Sequence, residues 1–384
     1  MIQDVARRTD DSKLTDWYFG IDKKLFIGII VLVFIGMFAA LSTGSAMSVR
    51  KDWNWYHFFM SMLPFYFLGG IALIGGSMLD KKKILWISIF NVVGCFLLIG
   101  VTAFQSNVIN GSSRWIVFAG HSFMPSDIMK PGFIILTAWF LSKMKDKYGD
   151  DIFTKKDVWQ LNWLSWWTYI VLFALLIVLL FKQPDIGTSI LYCSIVGVML
   201  IVAGLPRRFI FCGISLVGIG LVVAFLFQPH VHKRVLQFVS GELEEKSQVW
   251  YSINAIRQGG LFGMGEKAFA AEQLPMAESD FVYSALVEDV GAIMACFLLG
   301  ALVYVIQRLV KNAISARDKF VFYAVSGTFA LFSVQVCMNL GTALHLMPPK
   351  GMTLPFISFG GSSFLAFSLL FGIILAIIRE DKWK

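Results

Sequence analysis

Charge is what this sequence is short of: only 15% of its 384 residues are Asp, Glu, Lys or Arg, while 57% are hydrophobic. A soluble domain carries charge on about a quarter of its residues. With a mean hydropathy of +0.71, an ordinary soluble globule is excluded, because so much apolar surface needs lipid as well as a core to face. Cysteine is scarce as well. Cys95, Cys193, Cys212, Cys296 and Cys337 all fall inside apolar runs, so they read as small buried hydrophobes and not as a disulfide framework. There is no CxxC pair and no Cys/His cluster, which argues against a zinc or iron–sulfur site. His230 and His232 complete no ligand set. The glycine-rich GGLFGMG at 259–265 follows no strand and lacks the Lys-Ser/Thr of a P-loop, so it points to a close-packed turn and not to a nucleotide.

What is present is a series of ten apolar stretches, each near the roughly 20 residues a membrane-spanning helix needs. They lie at 25–42, 56–79, 84–105, 127–144, 162–181, 186–204, 209–227, 281–306, 319–343 and 363–378. Pro131 falls early in the fourth, where a kink of the first turns is expected. The fold class is therefore all-α, a polytopic membrane protein of about ten transmembrane helices. Alternate connections (1–24, 80–83, 143–156, 205–208, 307–318 and the tail at 379–384) hold about two-thirds of all Lys and Arg. The positive-inside rule makes that side, with both termini, cytoplasmic. The net charge of +8 is then mostly topology, and no nucleic-acid partner is expected, since scattered loop ends do not make a basic groove. Trp159, Trp163, Trp166 and Trp167 cluster at the start of the fifth stretch, as an interfacial belt does. The polar start of the chain is too long before its first apolar run to be a cleavable signal, so the first span is expected to be retained. The domain plan is a cytoplasmic segment 1–24, one transmembrane domain 25–378 with a large outer loop at 228–280, and a cytoplasmic tail 379–384.

The outer connections, 106–126, 228–280 and 344–362, are longer, richer in Gly and Pro, and carry isolated charges, the setting in which binding and chemistry usually sit. Asp280 lies at the membrane mouth of the eighth stretch, with Glu288 and Asp289 about 12 Å deeper by helix rise. Ionisable groups there cost several kcal/mol unless paired or hydrated, which marks them as functional candidates. Asp280 reads either as a helix cap, a role Ser279 could also fill, or as a general base with a raised pKa. Glu288 and Asp289 read either as functional or as members of an interhelical ion pair. Arg114 and Lys130, two cations on a face poor in positive charge, fit an anionic ligand such as phosphate; the plainer alternative is snorkelling to lipid headgroups. Ser126 and Asp127 look like a helix N-terminal turn just before Lys130. Asp185, in QPDIGTS, reads first as a helix cap. In PFISFGGSSF the backbone N–H groups around Gly360, Gly361, Ser362 and Ser363 could face an anion or a sugar, or simply cap the last helix.

Several of these motifs together resemble one family, the SEDS proteins (shape, elongation, division and sporulation), and within it the FtsW branch more than the RodA branch. The matching stretches are Gly111-Ser112-Ser113-Arg114-Trp115-Ile116, Met124-Pro125-Ser126-Asp127 with Lys130, QPDIGT at 183–188, Ala255 to Gly265, Leu274 to Gly291, and KGMTLPFISFGGSS at 350–363. They occur in order and spacing over residues 15–380. Departures are Met124 for Gln, Asp127 for Glu and Glu278-Ser279 for His-Thr; loss of the Gln amide alters one contact near Lys130.

The resemblance implies a peptidoglycan glycosyltransferase that polymerises lipid II at the outer face of the bacterial inner membrane during septal cell-wall synthesis. It implies a class B penicillin-binding transpeptidase of the FtsI type as partner, alongside other divisome membrane proteins. Carried over residue by residue, Asp280 is the catalytic carboxylate. Arg114, Lys130, Ser358, Gly360, Gly361, Ser362 and Ser363 contact diphosphate or sugar, and Asp185, Glu288, Asp289 and Gln248 are supporting residues. A divalent cation, Mg or Mn, is the one cofactor the resemblance leaves room for. Two other classes compete: a lipid II flippase, which needs a charged path through mid-membrane, and a scaffold recruiting the transpeptidase, which needs neither Asp280 nor Arg114.

Overall fold

The computed structural model describes residues 13–50, 54, 56–104, 114–118, 121–160, 163–240, 245–265, 268 and 273–382. Residues 1–12 of the expected N-terminal segment, and Gly111 to Ser113 of the first motif, lie outside them. In chain order the helices are α1 (Lys13–Gly20), α2 (Lys23–Arg50), α3 (His57–Ser77), α4 (Lys81–Ala103), α5 (Pro125–Ile128), α6 (Lys130–Tyr148), α7 (Trp166–Lys182), α8 (Ile186–Val202), α9 (Arg207–Phe227), α10 (Pro229–Val239), α11 (Gln248–Gly259), α12 (Val282–Val290), α13 (Ala292–Ile314), α14 (Lys319–Ala343) and α15 (Gly361–Lys382). Each of the ten apolar stretches is helical. Among the described residues seven helices are long and apolar enough to cross a membrane (α2, α3, α4, α9, α13, α14 and α15), and α7 and α8 are apolar but only 17 residues long. Where surroundings are apolar, a helix satisfies its own backbone, which is why the apolar runs take this form. Their starts are fixed by side chains in the intervening turns: Ser165, Asp185, Ser247 and Asp318 accept a hydrogen bond from an amide in the first turn of α7, α8, α11 and α14.

The structure departs from the sequence reading in four places. The eighth stretch, expected as one helix over 281–306, is broken at Gly291 (φ 91°) into α12 and α13, and α13 continues to Ile314. The fourth stretch is divided at Met129 into α5 and α6, and Pro131 occupies the first turn of α6. Among its described residues the outer loop at 228–280 contains two helices, α10 and α11. A two-stranded antiparallel hairpin, β1 (Ile116–Phe118) with β2 (His121–Phe123), pairs Ile116 with Phe123 and Val117 with Ser122. It carries the chain from Arg114 to α5.

The bundle is built around α14 and α15. In their most apolar windows 72% and 83% of residues are buried, against 6% in α9, which lies at the periphery. α15 packs along α3, and α14 packs on α6, α8 and α13. Between helices in lipid the hydrophobic effect contributes little, so close van der Waals approach and small residues matter most. A Cβ at Gly372 of α15 would lie 2.7 Å from the Leu73 carbonyl oxygen and 2.8 Å from that of Ala72, in α3.

Ion pairs gather at one end of the bundle. Arg308 holds Asp22 with two guanidinium nitrogens, Lys81 pairs with Asp318 at 3.0 Å, Lys319 with Asp146 at 3.2 Å, and the Asp381 carboxylate accepts from the Arg317 and Asp318 amides. This is the lysine-rich end. α14 starts there and ends at Ala343, so the segment after it, together with the segment before α12, lies at the opposite end.

The helix contact on Gly372 gives a direct stability test. Gly372→Ala is expected to destabilise the detergent-solubilised protein by about 1–3 kcal/mol, as overpacking does, since backbone carbonyls cannot swing aside. Gly100→Ala, where nothing lies within 4 Å of the new methyl, is expected to be neutral or stabilising. Equal thermal midpoints for the two variants would contradict this packing.

Candidate active site

The segment LPMAESDF folds as a tight turn. The amides of Ser279, Asp280 and Phe281 all converge on the Met276 carbonyl at 3.1–3.3 Å. Leu274, Ala277 and Phe281 are buried in a small apolar cluster with Phe58, whose ring meets Phe359 edge-on at 5.3 Å. Those anchors leave Asp280 half-buried on the other side. It does not cap α12: the residue at the cap is Phe281, and no side chain accepts there. The cap reading is thus set aside and the carboxylate is available for chemistry.

The segment joining α14 to α15 is laid across this turn. Phe359 N donates to the Glu278 carbonyl at 2.8 Å, and the Ser358 hydroxyl donates to the Ser279 carbonyl while accepting from Leu354 N at 2.7 Å. Phe356, 3% exposed, packs against α15 through Phe364, Phe367 and Phe371 at 5.5–5.9 Å; aromatic pairs of this kind contribute about 0.5–1.5 kcal/mol each. Gly351, at φ 67°, sits beside the carboxylate: a Cβ there would be 3.2 Å from Asp280 Oδ2.

Removal from water pushes the Asp280 carboxyl up to about 6, and Glu278 adds to the rise; Arg114, the Ser279 hydroxyl and Arg234 pull the other way. Arg114 reaches the site from the start of the hairpin. Its Nη1 donates to Asp185 Oδ1 at 3.2 Å, and its Nε has no partner among the described residues. Asp185 is only 2% exposed and also accepts from Thr188 N at the start of α8, so it is the expected helix cap and at the same time the counter-ion of Arg114. Arg234, on α10, donates from Nη1 to the Pro349 carbonyl at 2.9 Å. Lys350, whose ammonium burial holds below the usual lysine range, follows directly and packs over Gly187 in the first turn of α8. Asp280, Arg114, Asp185, Arg234 and Lys350 thus share one end of the bundle.

Other expected residues are placed differently. Lys130 was expected as a surface cation facing a ligand. It is 2% exposed, donating to Asp127 Oδ1 at 2.5 Å and to Gln335 Oε1 at 3.2 Å; neither snorkelling nor free access to an anion describes it. Ser358, Ser362 and Ser363 are buried, with the hydroxyls of Ser358 and Ser363 engaged inside the protein. Gly360 lies against Thr353, and a side chain at Gly361 would overlap the Phe65 ring. The start of α15 is therefore packed into the bundle rather than turned toward a ligand. Glu288 is fully buried and Asp289 accepts from the Ser42 hydroxyl of α2. Both are at the far end of α12, about 12 Å from Asp280, where the GGLFGMG turn docks through Met264 N on the Glu288 carbonyl and Ala292 N on the Gly260 carbonyl. Gln248 is exposed at the start of α11. Sequence reasoning passed over Arg234, Gln335 and Asn339. The last two are polar residues four apart in an otherwise apolar span, a signal as telling as charge in a membrane helix.

Among the described residues no three His, Cys, Asp or Glu side chains gather to hold a metal ion. An apolar groove of about 630 Å³ lies elsewhere, between α4, α6 and α7, lined by Phe96, Phe133, Trp139 and Trp163 among others. It contains no carboxylate.

Comparison with known proteins agrees with the fold. The family FTSW_RODA_SPOVE, described as cell cycle protein, matches residues 23–383. The chain is 32% identical over 377 residues to the probable peptidoglycan glycosyltransferase FtsW of Caulobacter vibrioides, covering 97% of this chain and 93% of that one. Among solved structures it resembles a chain from a study of structural coordination of polymerization and crosslinking by a peptidoglycan synthase complex, with a TM-score of 0.73 at 23% identity, covering 95% of this chain and 99% of that one. It also resembles the rod shape determining protein RodA of Thermus thermophilus, with a TM-score of 0.65 at 21% identity, covering 94% and 97%.

Carbodiimide labelling of Asp280 against pH, read by peptide mass spectrometry, tests the electrostatics. The protonated carboxyl should titrate at about 6, higher in Arg234→Gln and lower in Glu278→Gln. Arg114→Gln is the poorer variant, because it strands the buried Asp185. A midpoint in the ordinary carboxylate range would remove burial as the dominant cause.

Proposed function

This chain belongs to the family of cell cycle proteins that unites FtsW, RodA and SpoVE, and on that premise we propose that it is a membrane peptidoglycan glycosyltransferase that polymerises lipid II with Asp280 as general base. The observation that carries the reading is Asp280 itself. It is a half-buried carboxylate that burial raises to about 6, under the charge of Arg114 and Arg234, at the end of the bundle opposite the lysine-rich loops. A base works best when its pKa lies near the working pH, because the deprotonated form is then populated without being too weak to take a proton.

The reaction assigned to the site is a displacement. Asp280 takes the proton from the 4-hydroxyl of the acceptor sugar as that oxygen attacks the anomeric carbon of the donor. The bond from the anomeric carbon to the diphosphate oxygen breaks, and undecaprenyl diphosphate leaves with the electron pair. Negative charge grows on the leaving group, so fixed cations beside it lower the barrier. Arg114, with an unused Nε, and Arg234 are assigned that task. Lys130 is assigned a supporting one, since a fully buried ammonium cannot reach a diphosphate.

By the positive-inside rule the lysine-rich end is cytoplasmic, which puts Asp280 at the outer face of the inner membrane; the septum is the proposed place of action. A class B transpeptidase of the FtsI type is the proposed partner, with other divisome membrane proteins around it. Flippase and scaffold readings draw little from this site. Glu288 and Asp289, the charges a translocation path would need, are respectively buried and held by Ser42.

The test is polymerisation of labelled lipid II by the purified protein with its transpeptidase. Asp280→Asn is expected to lower the rate about 10²–10⁴-fold, the usual contribution of a general base, without change in thermal stability. Full polymer yield from that variant would remove Asp280 from the mechanism. Lys130→Ala should behave differently, costing about 3–5 kcal/mol of stability because Asp127 is left buried and unpaired. A Lys130→Ala protein as stable as the wild type would show that the pair is not needed to hold the fold.

A further inference from the structure

α14 carries two amide side chains one turn apart, and between them they reach the Asp280 turn, the segment at 352–353 and Lys130. Asn339, fully buried, donates from Nδ2 to the Asp280 carbonyl at 3.0 Å and to the Met352 carbonyl at 2.6 Å. Two carbonyl partners fix which end of the amide points where. Gln335, 1% exposed, accepts from Lys130 Nζ at 3.2 Å and donates from Nε2 to the Thr353 carbonyl at 2.9 Å and its hydroxyl at 3.1 Å. The Thr353 hydroxyl passes the chain on to Ser363 at 2.9 Å. One helix face therefore ties the Asp280 turn, the 352–353 segment and the Asp127–Lys130 pair into a single frame, and Gly351, the residue beside the Asp280 carboxylate, directly precedes the tied Met352.

We propose that Gln335 and Asn339 are positioning residues that fix Asp280 relative to the 352–353 segment and to Lys130. The proposal rests on the glycosyltransferase reading for its kinetic consequence, but the frame itself does not. Neither amide touches the reacting atoms. Their effect is geometric: each supplies donors to carbonyls that have left helical geometry in apolar surroundings, where an unpaired carbonyl is costly. With Asn339 removed, the Asp280 backbone and the Met352 backbone lose their common anchor, and water gains access to the carboxylate. Misplacement of a catalytic group by about 1 Å is enough to cost about 100-fold in rate.

Asn339→Leu keeps the branched shape and removes both donors, and Gln335→Leu removes the donors one turn earlier. In the full-length protein with its transpeptidase, Asn339→Leu is expected to lower kcat for lipid II polymerisation about 100-fold with KM nearly unchanged. The double variant should lose little more than the worse single one, as groups acting through one frame do. Independently of turnover, the pH midpoint for carbodiimide labelling of Asp280 should fall toward the ordinary carboxylate range in Asn339→Leu, because burial is the main cause of its elevation. Asn339→Ser, which retains one donor, should fall between wild type and Leu in both readouts and serves if the Leu variant does not accumulate. Wild-type kcat together with a wild-type labelling midpoint would overturn the proposal. A shifted midpoint in a protein whose wild type makes no polymer would uphold the frame and defeat the sugar-transfer reading instead.

Discussion

A polypeptide that leaves helical geometry among apolar surroundings must find a partner for each exposed amide and carbonyl, and this constraint organises the molecule's working end. The strip from 344 to 360 and the turn at 274–281 are the two stretches where the chain abandons helix beside the central helices. They solve the problem partly with each other, through Phe359 N on Glu278 and Ser358 on Ser279, and partly with the side chains of α14. Water would serve as well on a soluble protein's surface. Here the pairing is internal, so the non-helical segments are held in place, and a residue such as Asp280 inherits a fixed position from them.

The same constraint explains the electrostatics. Asp280 lies beside the strip that pairs with the Glu278 and Ser279 carbonyls, and desolvation raises its pKa; the arginines, approaching from the hairpin and from α10, keep the rise moderate. Of the two, Arg114 is held by a buried aspartate and Arg234 by a backbone carbonyl. Neither is neutralised by Asp280 itself, which leaves that carboxylate able to exchange a proton and the cations able to act on a third group.

Much of the fold was legible because lipid reduces the choice to helix or strand barrel, and apolar runs of the right length read as helices wherever they occur. Lysine placement gave the sidedness. The break at Gly291 was not legible, since a single glycine in an apolar stretch of spanning length does not by itself end a helix, and the break depends on the GGLFGMG turn docking there from about thirty residues upstream. At the site, Asp280 and Asp185 stood out as charges at helix mouths, and Arg114 as a cation on a face poor in positive charge. The fate of Lys130 did not: it is decided by Gln335, some 205 residues away in sequence, and no local pattern encodes that meeting. Ser358 and Ser363 misled for a related reason, because a hydroxyl next to a helix start looks like a ligand contact until its backbone partners are known.

The central claim is that one carboxylate, tuned by burial and held by α14, takes the proton in the sugar-transfer step. The most direct measurement is the pH dependence of the single-turnover polymerisation rate of the wild-type protein with its transpeptidase. Because the base must be deprotonated to act, the account predicts a rate that is level above about 7 and falls tenfold per unit below about 6, where Asp280 titrates. A rate that stays level down to pH 4, or an acid limb unrelated to the titration of Asp280, would contradict it.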